Sequence, residues 1–312
     1  MAYYNANEVI GLTRKAMGIT QEELCDGICD VSTLSKIENG HYGVKRDTYR
    51  KLMEKMGRVT EMRYAICLEQ DGRLLEDRAA WEGAIKRYDY ASAETYLKRM
   101  KAVADDNVLT AQYLARAEAV LDFLQGRICA EEKTERIDRA IRMTVPDYER
   151  YLNSEKVFPF FKEELLALMS LGNAYRRIGE EERGRRMYEA VLRCLNADYM
   201  GDPDKTEMRI TVGNNMAKAY AEASRHREAL REIDACLCLC RERDYSHLVA
   251  PLLVAKAHSC VRLVEKEEWG KEHLEEAERL LRQAYSLAAA RMEEKIKETV
   301  IRYFERHLGE WK

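Results

Sequence analysis

Chain breakers are scarce in this sequence, with 4 prolines and 16 glycines among 312 residues. So few in so long a chain argue for helix nearly throughout. No alternating apolar and polar stretch of useful length occurs, so the expected fold class is all-α. No run approaches the roughly 18 apolar residues of a membrane span. Met1 to Gly18 carries scattered charges and no apolar centre, unlike a signal peptide. A cytoplasmic chain with no membrane partner is expected. Neither charge sign dominates: 52 basic residues against 55 acidic ones leave a net charge of −3. That excludes a histone-like coat for nucleic acid but leaves room for a local basic face. Also missing are a Gly-rich phosphate loop, a His-x-x-x-His pair and a nucleophile elbow, so no enzyme activity, cofactor or metal is expected. The 9 cysteines are odd in number and sit inside helical patterns, which reads as reduced thiols. Cys236, Cys238 and Cys240 do not make a metal cluster, because 236 and 240 share a helix face that 238 does not.

What is present falls into two parts, residues 1–60 and 61–312. In the first, short apolar segments are separated by Gly18, Gly27, Gly40 and Gly57. A helix over Asn7–Met17 stops at Gly18. Thr20 and Glu23 then form a capping box that starts a helix at Gln21. After a tight turn at Ile28-Cys29-Asp30, a third helix runs from Val31 to Glu38 and ends at Asn39-Gly40. A fourth covers Asp47–Met56, with Tyr49, Leu52, Met53 and Met56 on one face. Two short helices joined by a short turn make a helix-turn-helix unit, which can place its second helix in the DNA major groove.

These residues resemble a family. Gly18-Ile19-Thr20-Gln21-Glu22-Glu23-Leu24 and Thr33-Leu34-Ser35-Lys36-Ile37-Glu38-Asn39-Gly40 are similar to the Cro/C1-type (Xre) DNA-binding domain. The likeness covers about residues 5 to 57 and implies a five-helix-type head. The short turn Gly27-Ile28-Cys29 resembles the Rgg/PlcR-type peptide-responsive regulators. By position, the resemblance implies that Gln21 meets phosphate or a base edge. It places Val31, Ser32, Thr33 and Lys36 on the groove side, and Lys45 and Arg46 against the phosphate backbone. Arg14 and Glu38 match a structural ion pair. Residues 1–60 hold nine Lys/Arg against eight Asp/Glu. A head so weakly charged is expected to work as one of two, on half-sites about 34 Å or a multiple apart.

The remaining residues read as helix pairs. Leu171-Gly172-Asn173-Ala174-Tyr175, then Gly184 and Tyr188, follow the tetratricopeptide pattern. Ala217, Tyr220, Ala229 and Ile233 repeat it. Fainter copies are Ala93 with Leu97, Ala140 with Met143, and Ala277 with Leu281. Stacked pairs form an α-solenoid with a concave face. The first helix of each pair would carry Asn173 and Asn214, whose amides can bond an extended peptide on both sides. Arg176, Arg177 and Lys218 offer charge to a carboxylate, and His258 occupies the matching place in a third pair. Each also has an ordinary structural use, since a helical Asn can bond a neighbouring turn and surface arginines are common. The stripe Ile296, Val300, Tyr303, Phe304 and Leu308 either caps the array or forms a dimer surface.

The expectation is a homodimeric transcription regulator. Its head binds double-stranded operator DNA, and its degenerate tetratricopeptide-like repeats dimerise and bind a short linear signalling peptide, as in quorum sensing. A repeat-based protein–protein adaptor and a ligand-independent phage or antitoxin-type repressor are the alternatives.

Overall fold

The computed structural model describes residues 4–58, 72–104, 107–201, 204–243 and 245–311. Among these, no strand forms, and one isolated antiparallel bridge joins Tyr4 to Met200. The chain divides into two compact units, Met1–Lys205 and Thr206–Lys312. The proposed division at residue 60, and any fifth helix of the head, fall in residues 59–71 and lie outside the described residues.

The first unit opens with α1 (Ala6–Met17), α2 (Gln21–Cys25), α3 (Val31–Glu38) and α4 (Arg46–Lys55). Gly18 ends α1 at φ 75°, where an L side chain is strained. Val9, Ile10, Leu24, Leu34, Tyr49, Leu52 and Met53 are almost fully buried and make the core of this head. The expected apolar face of α4 is therefore present.

Helix hairpins follow. The first pairs α5 (Gly72–Lys86) with α6 (Tyr90–Ala102), and the second pairs α7 (Val108–Leu124) with α8 (Ala130–Arg142). After the short α9 (Glu149–Leu152), the third pairs α10 (Lys162–Arg177) with α11 (Glu181–Asn196). Gly172 explains the third. A Cβ built there would meet the Tyr188 ring at 2.5–3.0 Å, and one at Gly184 would meet the Gly172 carbonyl oxygen at 2.9 Å. The two glycines let α10 and α11 approach, and the buried Tyr188 ring fills the remaining space.

The head is tied to the hairpins of this unit by a buried ion pair. Arg58 donates to both carboxylate oxygens of Glu164, at 3.0 and 3.1 Å. Its guanidinium lies 4.7 Å from the Phe158 ring centroid and 4.9 Å from that of Phe161. Glu164 also accepts the Phe161 N–H at 2.8 Å, so one carboxylate closes the start of α10 and anchors the head. Nearby, the Asn5 N–H donates to the Tyr199 carbonyl at 2.9 Å and the Lys162 N–H donates to the Tyr4 hydroxyl at 2.8 Å.

The second unit holds most of α12 (Asp204–Glu222), then α13 (His226–Arg243), a 3₁₀ turn at Ser246–Leu248, α14 (Val249–Glu265), α15 (Glu272–Ala290) and α16 (Glu294–His307). Ser246–Glu265 is long and apolar enough by composition to cross a membrane. It is not an uninterrupted apolar run, because Lys256, His258, Ser259 and Arg262 break it. In the fold, α14 buries Leu252, Leu253, Ala257, Cys260 and Val261, and it packs on α13, α15 and α16. The stripe of α16 faces the same core, with Val300 and Phe304 buried and Ile296, Tyr303 and Leu308 packed beside them. Capping, not a free surface, is what it does here.

The repeated small residues Ala93, Ala140, Gly184, Ala229 and Ala277 are all buried, each on the second helix of its hairpin. One expected partner is misplaced. Met143 is 44% exposed, whereas Thr144, four residues after Ala140, is buried and accepts from the Gln112 amide at 2.6 Å. α8 ends at Arg142, so Met143 caps the helix, and Thr144 takes the buried place at the four-residue step that the other pairs show.

His258 belongs to this core. Its ring centroid lies 6.0 Å from that of His226 and 5.6 Å from that of Tyr303. Burial, together with the charges of His226, Arg262 and His307, pushes its imidazole down to about 4. The folded chain thus holds His258 neutral where the unfolded chain would protonate it. Its contribution is complete above about pH 6.5 and is lost as pH falls toward 4. Acid titration of the unfolding midpoint should show that loss, worth about 1–2 kcal/mol after discounting for partial exposure. His258→Gln should flatten the same window, and an unchanged profile refutes the assignment. Glu164→Ala should cost about 3–5 kcal/mol in denaturant unfolding, because it strands the Arg58 charge. The double change Arg58→Met with Glu164→Leu should recover much of that cost. Gly172→Ala should cost about 1–3 kcal/mol, since the Tyr188 ring has nowhere to go.

Candidate functional site

The start of α2 is built as its sequence demands. The Thr20 hydroxyl accepts the Glu23 N–H at 3.1 Å, and Glu23 accepts the Thr20 N–H at 2.7 Å. The turn to α3 uses Gly27 at φ 74°, while the Cys25 carbonyl takes the N–H groups of Ile28 and Cys29. On α3, Leu34 and Ile37 point into the core. That leaves Val31, Ser32 and Lys36 exposed and Thr33 half-buried.

Arg14 and Glu38 form the expected pair, bidentate at 2.6 and 2.7 Å, with Arg14 also donating to the Ile19 carbonyl. Burial pushes the Glu38 carboxyl up, but hydrogen bonds from Arg14 and Gln21 outweigh it and hold the group below the usual carboxylate range. The pair fixes α3 against α1. Gln21 joins it, its amide nitrogen donating to Glu38 at 2.8 Å. One amide N–H and the amide oxygen of Gln21 are left for an outside partner.

Asp30, read in the sequence only as part of the turn, orders the start of α3. It precedes α3 and accepts the hydroxyls of Ser32 and Thr33 at 2.8 and 3.0 Å. Both hydroxyl protons are thereby turned inward, and the oxygens face outward as acceptors. These two bonds hold the Asp30 carboxyl below its usual range. Its signal in the sequence was an Asp two and three residues before hydroxyl side chains at a helix start. Lys36 stands 5.5 Å from the Tyr42 ring centroid, which steadies a long cation on the exposed face. Lys45 and Arg46 begin α4 and are exposed, with no ion-pair partner among the described residues. α3 and the start of α4 thus expose three cations, Lys36, Lys45 and Arg46.

The residues read as ligand-binding divide between the two units. Asn173, Arg176 and Arg177 lie on α10 of the first. Tyr188 brings two of them together. Its hydroxyl donates to Asn173 at 2.8 Å and accepts from Arg176 at 3.5 Å. Asn173 is therefore partly engaged within the fold, while Arg177 is exposed. Asn214 and Lys218 lie one turn apart on α12 of the second unit. Lys218 is exposed, and the buried Oδ1 of Asn214 has no hydrogen-bond partner among the described residues. His258 is packed among His226 and Tyr303 as described above, an environment that keeps it neutral. No group of three or more His, Cys, Asp or Glu side chains placed to hold a metal occurs among the described residues. Cys236 and Cys240 are buried on one face of α13, with Cys238 directed elsewhere.

Comparison with known proteins follows this division. The helix-turn-helix family profile matches residues 10–61. No curated protein matches the sequence. Among solved structures, the chain is similar to Bacillus thuringiensis PlcR in complex with the peptide PapR7 and DNA. The TM-score is 0.62 at 18% identity, covering 96% of this chain and 99% of that one. It is also similar to S. thermophilus ComR in complex with DNA and its signalling peptide ComS. There the TM-score is 0.55 at 15% identity, with 95% and 97% covered. Residues 10–61 form a helix-turn-helix domain of the Xre type, and the chain from end to end has the fold of PlcR and ComR.

Proposed function

We propose that this chain is a cytoplasmic, homodimeric transcription regulator whose DNA affinity is set by a short peptide. Residues 1–60 read duplex DNA, and residues 61–312 bind the peptide and pair the chains. The observation that carries the reading is the helix-turn-helix domain at 10–61 within a fold shared end to end with PlcR, which was solved with a peptide and DNA. The exposed face of α3 supports the DNA half. Lys36 supplies a donor, Ser32 and Thr33 supply acceptors, Val31 suits a thymine methyl, and Lys45 and Arg46 suit phosphate. Gln21 suits a phosphate or base edge through its remaining amide groups. The orphaned Asn214 oxygen supports the peptide half, because a buried acceptor without a partner is costly until a ligand N–H fills it. In the second unit Lys218 and His258, and in the first Asn173, Arg176 and Arg177, are the other residues proposed to contact peptide. Peptide binding would shift the population toward one arrangement of the paired heads, by as much as its affinities for the two arrangements differ.

The test takes purified full-length chain and a pool of randomised DNA duplexes. Repeated selection should enrich a motif with two half-sites about one or two helical turns apart. Lys36→Ala should weaken binding to that motif about 10- to 100-fold, the usual worth of a base contact. Failure to enrich any motif removes the DNA reading, and an unaltered footprint for Lys36→Ala removes α3 from the groove.

A further inference from the structure

Lys133 lies on the first turn of α8 and is only 7% exposed. Its ammonium sits 4.5 Å from the centroid of the Phe123 ring on α7. Among the described residues it has no ion-pair or hydrogen-bond partner besides that ring. The charged groups around it are cations, Arg116 of α7 and Arg177 at the end of α10. Arg116 is also buried, and it reaches Glu163 only at 3.5 Å. That carboxylate is already held by Arg78, and the Nε of Arg116 has no partner.

Among the described residues Lys133 therefore has no carboxylate of its own, and Arg116 has part of one. Burial and the two arginines push the Lys133 ammonium down to about 8. A fold gains nothing from this arrangement by itself. A leucine or methionine at 133 would bury the same stem on Phe123 without the cost of desolvating a charge next to two like charges. The cost is removed only if an anion arrives from outside. The site that would receive it has N–H donors from three side chains and an aromatic wall. A corner with two of its three cations buried suits a small planar group, and a carboxylate meets guanidinium N–H groups in two parallel bonds.

We propose that Lys133, with Arg116 and Arg177, forms a subsite for a carboxylate of the bound peptide. This rests on the peptide-binding reading above and names the chemistry the ligand must carry. The carboxylate comes from the peptide C-terminus or from an Asp or Glu side chain.

The test uses synthetic randomised heptapeptides in three pools. One has free C-termini and no Asp or Glu, one is C-terminally amidated without Asp or Glu, and one is amidated with them. Each is equilibrated with full-length chain, and retained peptides are identified by mass spectrometry. Retention from the first pool places the carboxylate at the C-terminus, and retention from the third places it on a side chain. For the best peptide, amidating that terminus or replacing that Asp or Glu by its amide should weaken binding at least tenfold. Lys133→Met should do the same, and Lys133→Arg should keep most of the affinity. Removal of the carboxylate is tested on the unmodified protein, so a variant that fails to fold does not spoil the result. Equal retention from the carboxylate-free pool overturns the subsite but leaves peptide binding intact. So does a Lys133→Met chain that melts normally and binds the best peptide as tightly as the original. If no pool is retained, the peptide reading falls and the subsite with it.

Discussion

The Glu164 carboxylate governs how the first unit is assembled. It closes the first turn of α10 by taking the Phe161 N–H, and it holds Arg58 just beyond the head. Both side chains are almost completely buried, at 3% and 0% exposure. An ion pair so far from water is a poor source of net stability, because desolvation of both charges offsets their attraction. Its value is directional. A bidentate guanidinium clamped between Phe158 and Phe161 allows one orientation, whereas an apolar contact of similar area tolerates several. The head is thus registered on the hairpins that follow it, and the Tyr4 and Asn5 contacts repeat that registration from the other end of the head.

The hairpins obey a different constraint, that of close backbone approach. A small residue recurs on the second helix of each pair, and in all but the α7–α8 pair an aromatic or aliphatic side chain one turn later fills the remaining space. Gly172 and Gly184 carry this furthest, with Tyr188 wedged where two side chains would otherwise stand. The tyrosine hydroxyl then reaches Asn173 and Arg176, so a packing residue also orients groups on the first helix. Packing and recognition are not separate properties of this helix pair.

Charge is distributed to match. The head has almost no net charge, and its acidic residues are largely engaged. Glu38 holds Arg14, Asp30 holds two hydroxyls, and Asp47 meets Arg50 and Lys51. What remains outward at α3 and the start of α4 is cationic or hydrogen-bonding. Affinity from such a surface depends on geometry more than on long-range attraction, which favours two heads held at a defined separation. Between α7 and α8 the arrangement differs, with Arg116 and Lys133 both buried and Lys133 without a carboxylate partner among the described residues.

Local signals made the head legible in the sequence. Capping at Thr20 and Glu23, the stop at Gly18, the limits of α3 and the apolar face of α4 each arise within a few residues, where propensity and hydrogen bonding decide. The Arg14–Glu38 pair came from the resemblance and was found in place. The repeat period was legible too, because one small residue per hairpin leaves a trace at nearly constant spacing; it slipped at Met143, three residues after Ala140 at the end of α8, where the other pairs step by four. The membrane-like composition of α14 shows the reverse, a local property whose meaning only its packing supplies. No pattern announced Arg58 and Glu164, which are 106 positions apart. Nor did any mark Lys133 as the buried neighbour of Arg116 and Arg177. Elements and their period follow from short-range chemistry that the chain carries along its length. Which charges meet, and which are left without a partner, depends on segments brought together only when the hairpins stack, and so belongs to the tertiary structure alone.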